Sequence, residues 1–80
     1  MRVPRDVSGT ELIRLLGSIG YQVVRQTGSH IRLRSTIDTE HSITIPNHDS
    51  LKVGTLNAIL ADVALHLGIT KQEVIQRLFG

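Results

Sequence analysis

Apolar residues recur at helical spacing in two parts of the chain. One stripe predicts a helix over residues 8–19, and a second stripe predicts a helix over residues 55–67. The sequences Ser-Gly-Thr-Glu at residues 8–11 and Thr-Lys-Gln-Glu at residues 70–73 have the form of capping boxes, which open helices. The second box predicts a short third helix through Leu78. The two stripes consist of Leu12, Leu15, Leu16 and Ile19, and of Leu56, Ile59, Leu60, Val63 and Leu67.

Between the two stripes the spacing changes to a period of two, which is typical of half-buried strands. Residues 29–35 and 41–45 have this character, and residues 21–26 are predicted to form a further strand because they are rich in aromatic and β-branched residues. Turn or polar segments separate the three strands. Pro46 should end the third strand because proline has no N–H for the sheet ladder. The predicted fold is therefore α+β: a helix, a three-stranded antiparallel sheet, a helix and a short C-terminal helix, in a single domain over residues 1–80.

The middle strand separates its side chains by chemistry. Ile31 and Leu33 point to one face of the sheet, which both long helices should cover together with Ile43 and Ile45. The opposite face stays open to solvent or to a partner. It carries His30, Arg32 and Arg34.

The register of the first hairpin is left open by the sequence. A two-residue turn at positions 27–28 would pair Arg25 with His30 and would place Tyr21 on the basic face as well. One more loop residue would turn Tyr21 and Arg25 inward, because a shift of one residue moves every side chain to the other face. A core position is the commoner role for a lone tyrosine after a helix.

Composition excludes several classes of protein. The 80 residues contain no cysteine, which excludes a disulfide scaffold and a thiolate metal site. The longest apolar runs are only a few residues, so no transmembrane helix and no membrane partner are expected. The first residues lack the apolar segment of a secretory signal, which favours the cytoplasm.

Net charge is modest, with nine Lys and Arg against seven Asp and Glu, but its distribution is uneven. Residues 15–37 contain no acid, and Arg25, Arg32 and Arg34 all lie in that segment. A local cationic patch indicates an anionic ligand such as a phosphate.

The open face has the groups that RNA cleavage needs. Arg32 and Arg34 would lie about 6–7 Å apart on one face, and both present planar forks of donors that suit phosphate oxygens. Between them and the turn, His30 offers an imidazole, which both takes and gives protons near neutral pH. Gly28 would let a ligand approach the backbone, and Ser29 could donate to it. The same row of residues also fits an ordinary solvated sheet face.

The other histidines give weaker signals. None has a partner at the spacing of a metal site, so no metal and no cofactor are expected. His48 lies in a predicted loop, from which it could reach the open face as a second acid or base, although a solvated loop position is the simpler interpretation. His41 carries no motif, and His66 near a helix C-terminus is structural by default.

Several ordered segments resemble the HicA (YcfA-like) toxin family of toxin–antitoxin modules. They are Gly-Ser-His at residues 28–30, Ile-Thr-Ile-Pro-Asn-His at 43–48, Leu-Lys-Val-Gly-Thr-Leu at 51–56 and Ile-Leu at 59–60. The resemblance covers residues 10–78. It implies a double-stranded-RNA-binding-domain-like fold and a ribonuclease that cuts mRNA without a metal or the ribosome. It also implies that His30 is catalytic and that a HicB-like antitoxin binds the toxin and blocks this histidine.

Together these observations predict an RNA-cleaving toxin in which His30 does general acid–base work. The expected RNA contacts are Gly28, Ser29, Arg32, Arg34 and Lys52. One alternative is a non-catalytic module that binds duplex RNA, or that binds DNA through a helix-turn-helix-like pair at the C-terminus. For that pair, the residues at the appropriate offsets are Ala64, Gly68, Ile69 and Val74. Another alternative is a degenerate family member that only pairs with a partner protein.

Overall fold

A computed structural model describes residues 4–37 and 39–80, so residues 1–3 and Asp38 of the predicted polar loop lie outside the described residues. The predicted order of elements is confirmed, and the fold is α+β and double-stranded-RNA-binding-domain-like. The elements are α1 (Gly9–Gly17), β1 (Tyr21–Thr27), β2 (His30–Ser35), β3 (His41–Pro46), α2 (Val53–Leu67) and α3 (Lys71–Phe79).

Local hydrogen bonds set where the helices begin and end. Ser8 Oγ accepts the N–H of Glu11 at 3.0 Å and so caps α1. Thr70 and Glu73 form the predicted reciprocal capping box at the start of α3. The helix predicted to begin at residue 55 begins at Val53. It ends at Leu67, and Gly68, with a φ of 70°, is its left-handed C-cap.

The first helix is shorter than its apolar stripe, which predicted an end at residue 19. α1 ends at Gly17, and the chain then turns through Ser18 to Gly20, whose φ is 106°. Glycine is favoured at this position by its positive φ, whereas a Cβ there would meet only the exposed, flexible Ile37 side chain, which can move aside. Ile19 keeps its apolar role because it packs on the edge of the core.

The three strands form one antiparallel sheet in the order β1-β2-β3. The predicted inward residues of β2 and β3 are buried in one apolar cluster with residues of all three helices, while the other face of the sheet is left uncovered. The apolar side chains therefore hold the helices on one side of the sheet, as expected for a two-layer α+β fold. The strand residues in this cluster are Tyr21, Ile31, Leu33, Ile43 and Ile45.

The predicted hairpin turn at residues 27–28 is wrong. The two-residue turn consists of Gly28 and Ser29, because Thr27 pairs with His30. Gly28 has a φ of 58°, which suits a hairpin turn with glycine at its first central position. The second strand consequently begins at His30, not at Ser29.

A β-bulge in β1 settles the open question of register. The pairing shifts between Val23 and Arg25, so that one extra residue stands in β1 at Val24. Before the bulge Tyr21 pairs with Ser35 on the buried face, and after it Arg25 pairs with Arg32 on the open face. Each register considered above therefore gives the correct face for one half of the strand, with Tyr21 in the core and Arg25 outside. The predicted pairing of Arg25 with His30 is wrong, because Arg25 pairs with Arg32.

Within the described residues no single helix is long and apolar enough to span a membrane. Helices α2 and α3 reach that length and hydropathy only when they are taken together, across a bend of 106°.

Candidate active site and nucleic-acid interface

The uncovered face of the sheet contains a shallow depression of about 320 Å³. Residues from all three strands line it, and each of them is exposed. Because β2 is the central strand, its outward side chains occupy the middle of this surface, with β1 and β3 on either side. We refer to the surface as the basic depression. Its lining residues are Arg25, Thr27, His30, Arg32 and Thr44.

His30 is the first residue of β2, next to the tight turn. The turn is fixed to β3, since the N–H of Asn47 donates to the carbonyl of Ser29 at 2.6 Å. This bond holds the start of β2, and with it His30, against the end of β3. A Cβ on Gly28 would meet open space, so glycine is favoured here by the positive φ of the turn and not by close packing. The backbone at this position is therefore accessible to a ligand.

The arginines of the open face differ in their partners. Arg32 lines the basic depression opposite Arg25, and neither forms an ion pair with an acid among residues 4–37 and 39–80. Arg34 lies on the same face further along β2, but its Nε is 3.0 Å from Glu40 Oε1. The structure therefore brings Arg25 to the site and leaves Arg34 beside it, paired with an acid.

The sequence of this chain is similar to one known protein family. The family model for the HicA toxin of bacterial toxin–antitoxin systems matches residues 9–65, which is more than half of the chain. The chain belongs to the HicA toxin family. No curated protein and no solved structure matches it. Membership makes the protein the toxin partner of a toxin–antitoxin pair and implies a cognate antitoxin.

The family match contains the whole basic depression but stops before α3. The resemblance noted in the sequence extended to Leu78, so the last helix is the part of the chain that the family match does not cover. α3 nevertheless belongs to the core of this HicA toxin, because Val74, Ile75 and Leu78 are buried in the apolar cluster.

Two of the sequence-predicted residues lie away from the basic depression. Lys52 is the exposed N-cap residue of α2, and its side chain makes no cap hydrogen bond. His48 is exposed in the loop between β3 and α2, where its carbonyl accepts the N–H of Gly9 at 2.9 Å. Neither lines the depression, so His30 is its single histidine.

A second group of titratable side chains lies on the covered face of the sheet, at the end away from the Gly28 turn. The Tyr21 hydroxyl lies 2.7 Å from His41 Nδ1, and His41 Nε2 lies 3.2 Å from Asp62 Oδ1. A carboxylate only accepts, so His41 donates through Nε2–H to Asp62. In the neutral ring with that tautomer, Nδ1 accepts a hydrogen bond from the Tyr21 hydroxyl. The ring of His66 stacks on His41 with centroids 4.4 Å apart. We call these four residues the buried brace after Tyr21, which is buried at its inner end, while Asp62 at its outer end is exposed to solvent.

The buried brace ties β1, β3 and α2 together, and sequence analysis missed it because its members are 20 and 21 positions apart in the chain. Burial, and to a lesser degree the charge of Asp62, raises the pKa of Tyr21 to about 12. His66 Nε2 is buried without a hydrogen-bond partner among the described residues. In the part of the chain that the structure describes, no group of three or more His, Asp or Glu side chains is arranged to hold a metal ion.

The C-terminal helix pair has the angle of a DNA reader but not its charge. Helices α2 and α3 are bent by 106°, within the range of helix-turn-helix motifs. The Nζ of Lys71, however, donates to Asn57 Oδ1 at 2.8 Å, which directs this cation back to α2. Arg77, in the last turn of α3, is the other cation of this helix. Glu73 in the first turn adds a negative charge, which does not favour DNA binding. The DNA-binding interpretation stays an alternative prediction.

Proposed function

We propose that this HicA toxin is an endoribonuclease that cuts mRNA with His30 as a general acid–base and without a metal. The observation that supports the proposal is the position of His30 on the uncovered sheet face, in one depression with two arginines that have no acidic partner among the described residues. An imidazole beside unpaired guanidinium groups is a suitable environment for a phosphodiester.

In the proposed reaction the ribose 2′-oxygen attacks the adjacent phosphorus, and the bond from phosphorus to the 5′-oxygen breaks. His30 accepts the proton of the 2′-hydroxyl and returns a proton to the departing 5′-oxygen. The products are a 2′,3′-cyclic phosphate and a 5′-hydroxyl, so atoms and protons balance without an external reactant. The positive charge of Arg32 stabilises the extra negative charge on the phosphoryl oxygens in the transition state.

The remaining predicted residues support binding in this proposal. Gly28 and Ser29 shape the turn beside His30, while Arg34 and Lys52 add positive charge further from the reacting phosphate. We further propose that the antitoxin partner is HicB-like, that it binds over His30 and that the toxin acts in the cytoplasm, where mRNA is present.

The proposal is tested by replacing His30 with Ala and measuring RNA cleavage in vitro and growth arrest on expression. General acid–base catalysis contributes about 10²–10⁴-fold, so we expect a loss of that size. His48→Ala is the matched control, because His48 is also exposed but lies outside the depression. Cleavage by the native toxin should continue in a chelator and should leave cyclic phosphate ends. Full cleavage by the His30→Ala variant would exclude the catalytic role.

The second candidate is a non-catalytic binding module. The 106° bend between α2 and α3 is the observation in favour of its DNA-binding form. RNA or DNA binding by the wild-type protein without any cleavage would favour this candidate. Lys71→Gln and Arg77→Gln should leave RNA cleavage intact, and a loss of DNA binding in these variants would support the helix-pair alternative.

A further inference from the structure

Arg25 and Arg32 stand directly opposite each other on neighbouring strands of the open face. We propose that they form a two-arginine phosphate clamp, in which Arg25, and not Arg34, is the second arginine beside His30. The proposal rests on the proposed function, since it names the group that binds the scissile or a neighbouring phosphate in the same depression. Nothing in the sequence pattern alone distinguished Arg25 from a core-facing residue.

The first argument is electrostatic. Side chains directly opposite each other on antiparallel strands have Cβ atoms about 4.5–5.5 Å apart, and like charges in that position repel each other. Among residues 4–37 and 39–80 no acid pairs with either Arg25 or Arg32. The free protein therefore carries an uncompensated repulsion on this surface, and a bound phosphate would convert it into attraction. Arg34 is different because it already forms an ion pair with Glu40.

The second argument is the chemistry of the surrounding side chains. Thr44 on β3 stands opposite Arg32, and Thr27 on β1 stands opposite His30, so the depression also contains two hydroxyl groups. Hydroxyls and guanidinium groups both donate hydrogen bonds, and the described residues that line the depression include no acid that would repel a phosphate. Such a set of donors is suited to an oxyanion that accepts several hydrogen bonds.

The third argument is the way in which the backbone delivers Arg25. Without the bulge at Val24, Arg25 would share the face of Tyr21 and Val23, because side chains alternate along a strand. The extra residue lets one strand place a buried tyrosine at its start and an exposed arginine near its end. Bulges of this kind occur next to active sites, where they re-aim a side chain.

The clamp is tested by binding a single-stranded RNA oligonucleotide with 2′-O-methyl riboses, which cannot be cleaved through the 2′-oxygen. Fluorescence anisotropy should show that Arg25→Gln and Arg32→Gln each weaken binding by about tenfold, as expected when a charge-assisted hydrogen bond is lost. Arg34→Gln should have a smaller effect, about two- to threefold, as expected for a screened surface charge. Arg14→Gln is the control, because Arg14 is an exposed arginine in α1.

Two further readouts identify the clamp. A plot of log affinity against log salt concentration has a negative slope, and its magnitude should be smaller by about 0.7 in Arg25→Gln than in the native protein. This is the value for one lost phosphate contact on a single strand. The melting temperature of free Arg25→Gln should equal or exceed that of the native protein, because the repulsion is removed. The oligonucleotide should raise the melting temperature of the native protein more than that of the variant.

The outcomes separate this inference from the proposed function. Native affinity in Arg25→Gln, with cleavage still lost in His30→Ala, would overturn the clamp and leave the ribonuclease proposal standing. Weak binding by Arg25→Gln, with full cleavage by His30→Ala, would support the clamp and refute the catalytic histidine. An oligonucleotide that does not bind the native protein at all would overturn the clamp.

Discussion

His41 and His30 lie at opposite ends of the same small sheet and have opposite surroundings. His41 is in contact with Tyr21, Asp62 and His66, so both of its ring nitrogens have partners. His30 lies on an exposed surface with Arg25 and Arg32. Polar groups that satisfy one another stabilise a fold, whereas groups left with unused hydrogen-bonding capacity are available to a ligand. The comparison supports a structural role for His41 and is consistent with the catalytic role proposed for His30.

Deleting Val24 should have the largest effect on stability, because the bulge lets β1 place Tyr21 in the core and Arg25 on the open face. Without it, either Tyr21 leaves the core or Arg25 enters the core. Loss of a buried aromatic side chain costs about 3–5 kcal/mol, so the free energy of unfolding should fall by that amount. Chemical denaturation measures it, with Val24→Thr as the control that keeps the bulge. A deletion variant of native stability would show that the bulge is dispensable.

Replacing His41 with Ala should remove about 1–3 kcal/mol from the free energy of unfolding. The variant leaves the Tyr21 hydroxyl without its acceptor and removes the stacked ring above His66. His48→Ala, in the exposed loop, should change stability by less than about 0.5 kcal/mol. Equal stability losses in the two variants would contradict the structural role of the buried brace.

The buried brace also predicts a dependence of stability on alkaline pH. The pKa of Tyr21 is about 12 in the folded protein and 10.0 ordinarily, so the unfolded chain loses the proton first. The stabilising contribution is complete below pH 10 and is lost as the pH rises through 12, by about 2–3 kcal/mol in total.

Tyr21→Phe provides the reference for this titration, because it retains the aromatic ring but lacks the hydroxyl. The lysines, which also titrate in this pH range, are the same in both proteins and cancel in the comparison. The difference in unfolding free energy between the native protein and this variant should decrease between pH 10 and pH 12. A difference that stays constant over that range would show that the hydroxyl is not buried in the manner described.

Glu40→Gln should have the smallest effect and should sharpen the contrast between the arginines. It releases Arg34 from its ion pair, which joins two exposed side chains and contributes about 0–1 kcal/mol to stability. The open face then gains positive charge, so RNA affinity at low salt should rise by about two- to threefold. Glu11→Gln in α1 is the matched control. Weaker RNA binding by Glu40→Gln would contradict the expectation that the ion pair with Glu40 keeps Arg34 from the RNA.

The elements and the polarity of β2 could be predicted from the sequence because they depend on local periodicity. Apolar and polar side chains alternate along β2, and this pattern can be recognised from one strand alone. The apolar positions are Ile31 and Leu33, and the polar positions are His30 and Arg32. The three helices likewise follow from local capping residues and apolar stripes, and their ends differ from the prediction by only a few residues.

The bulge and the buried brace could not be predicted in this way. Val23 and Val24 are both apolar and β-branched, so no change in pattern marks the extra residue. The contacts of His41 with Tyr21 and Asp62 join residues that only the tertiary fold brings together. The pairing of Arg34 with Glu40 spans the loop between β2 and β3. These three features decide which arginine and which histidine are available to a ligand on the open face, and they therefore set the position of the proposed site.

The most direct test of this account is the RNA cleavage rate per folded molecule in His30→Ala and His41→Ala, measured together with their unfolding free energies. We expect His30→Ala to lose about 100-fold or more in rate at native stability. His41→Ala should keep a rate within a few-fold of native while it unfolds at lower denaturant concentration. The reverse result, with cleavage lost in folded His41→Ala and retained in His30→Ala, would contradict it.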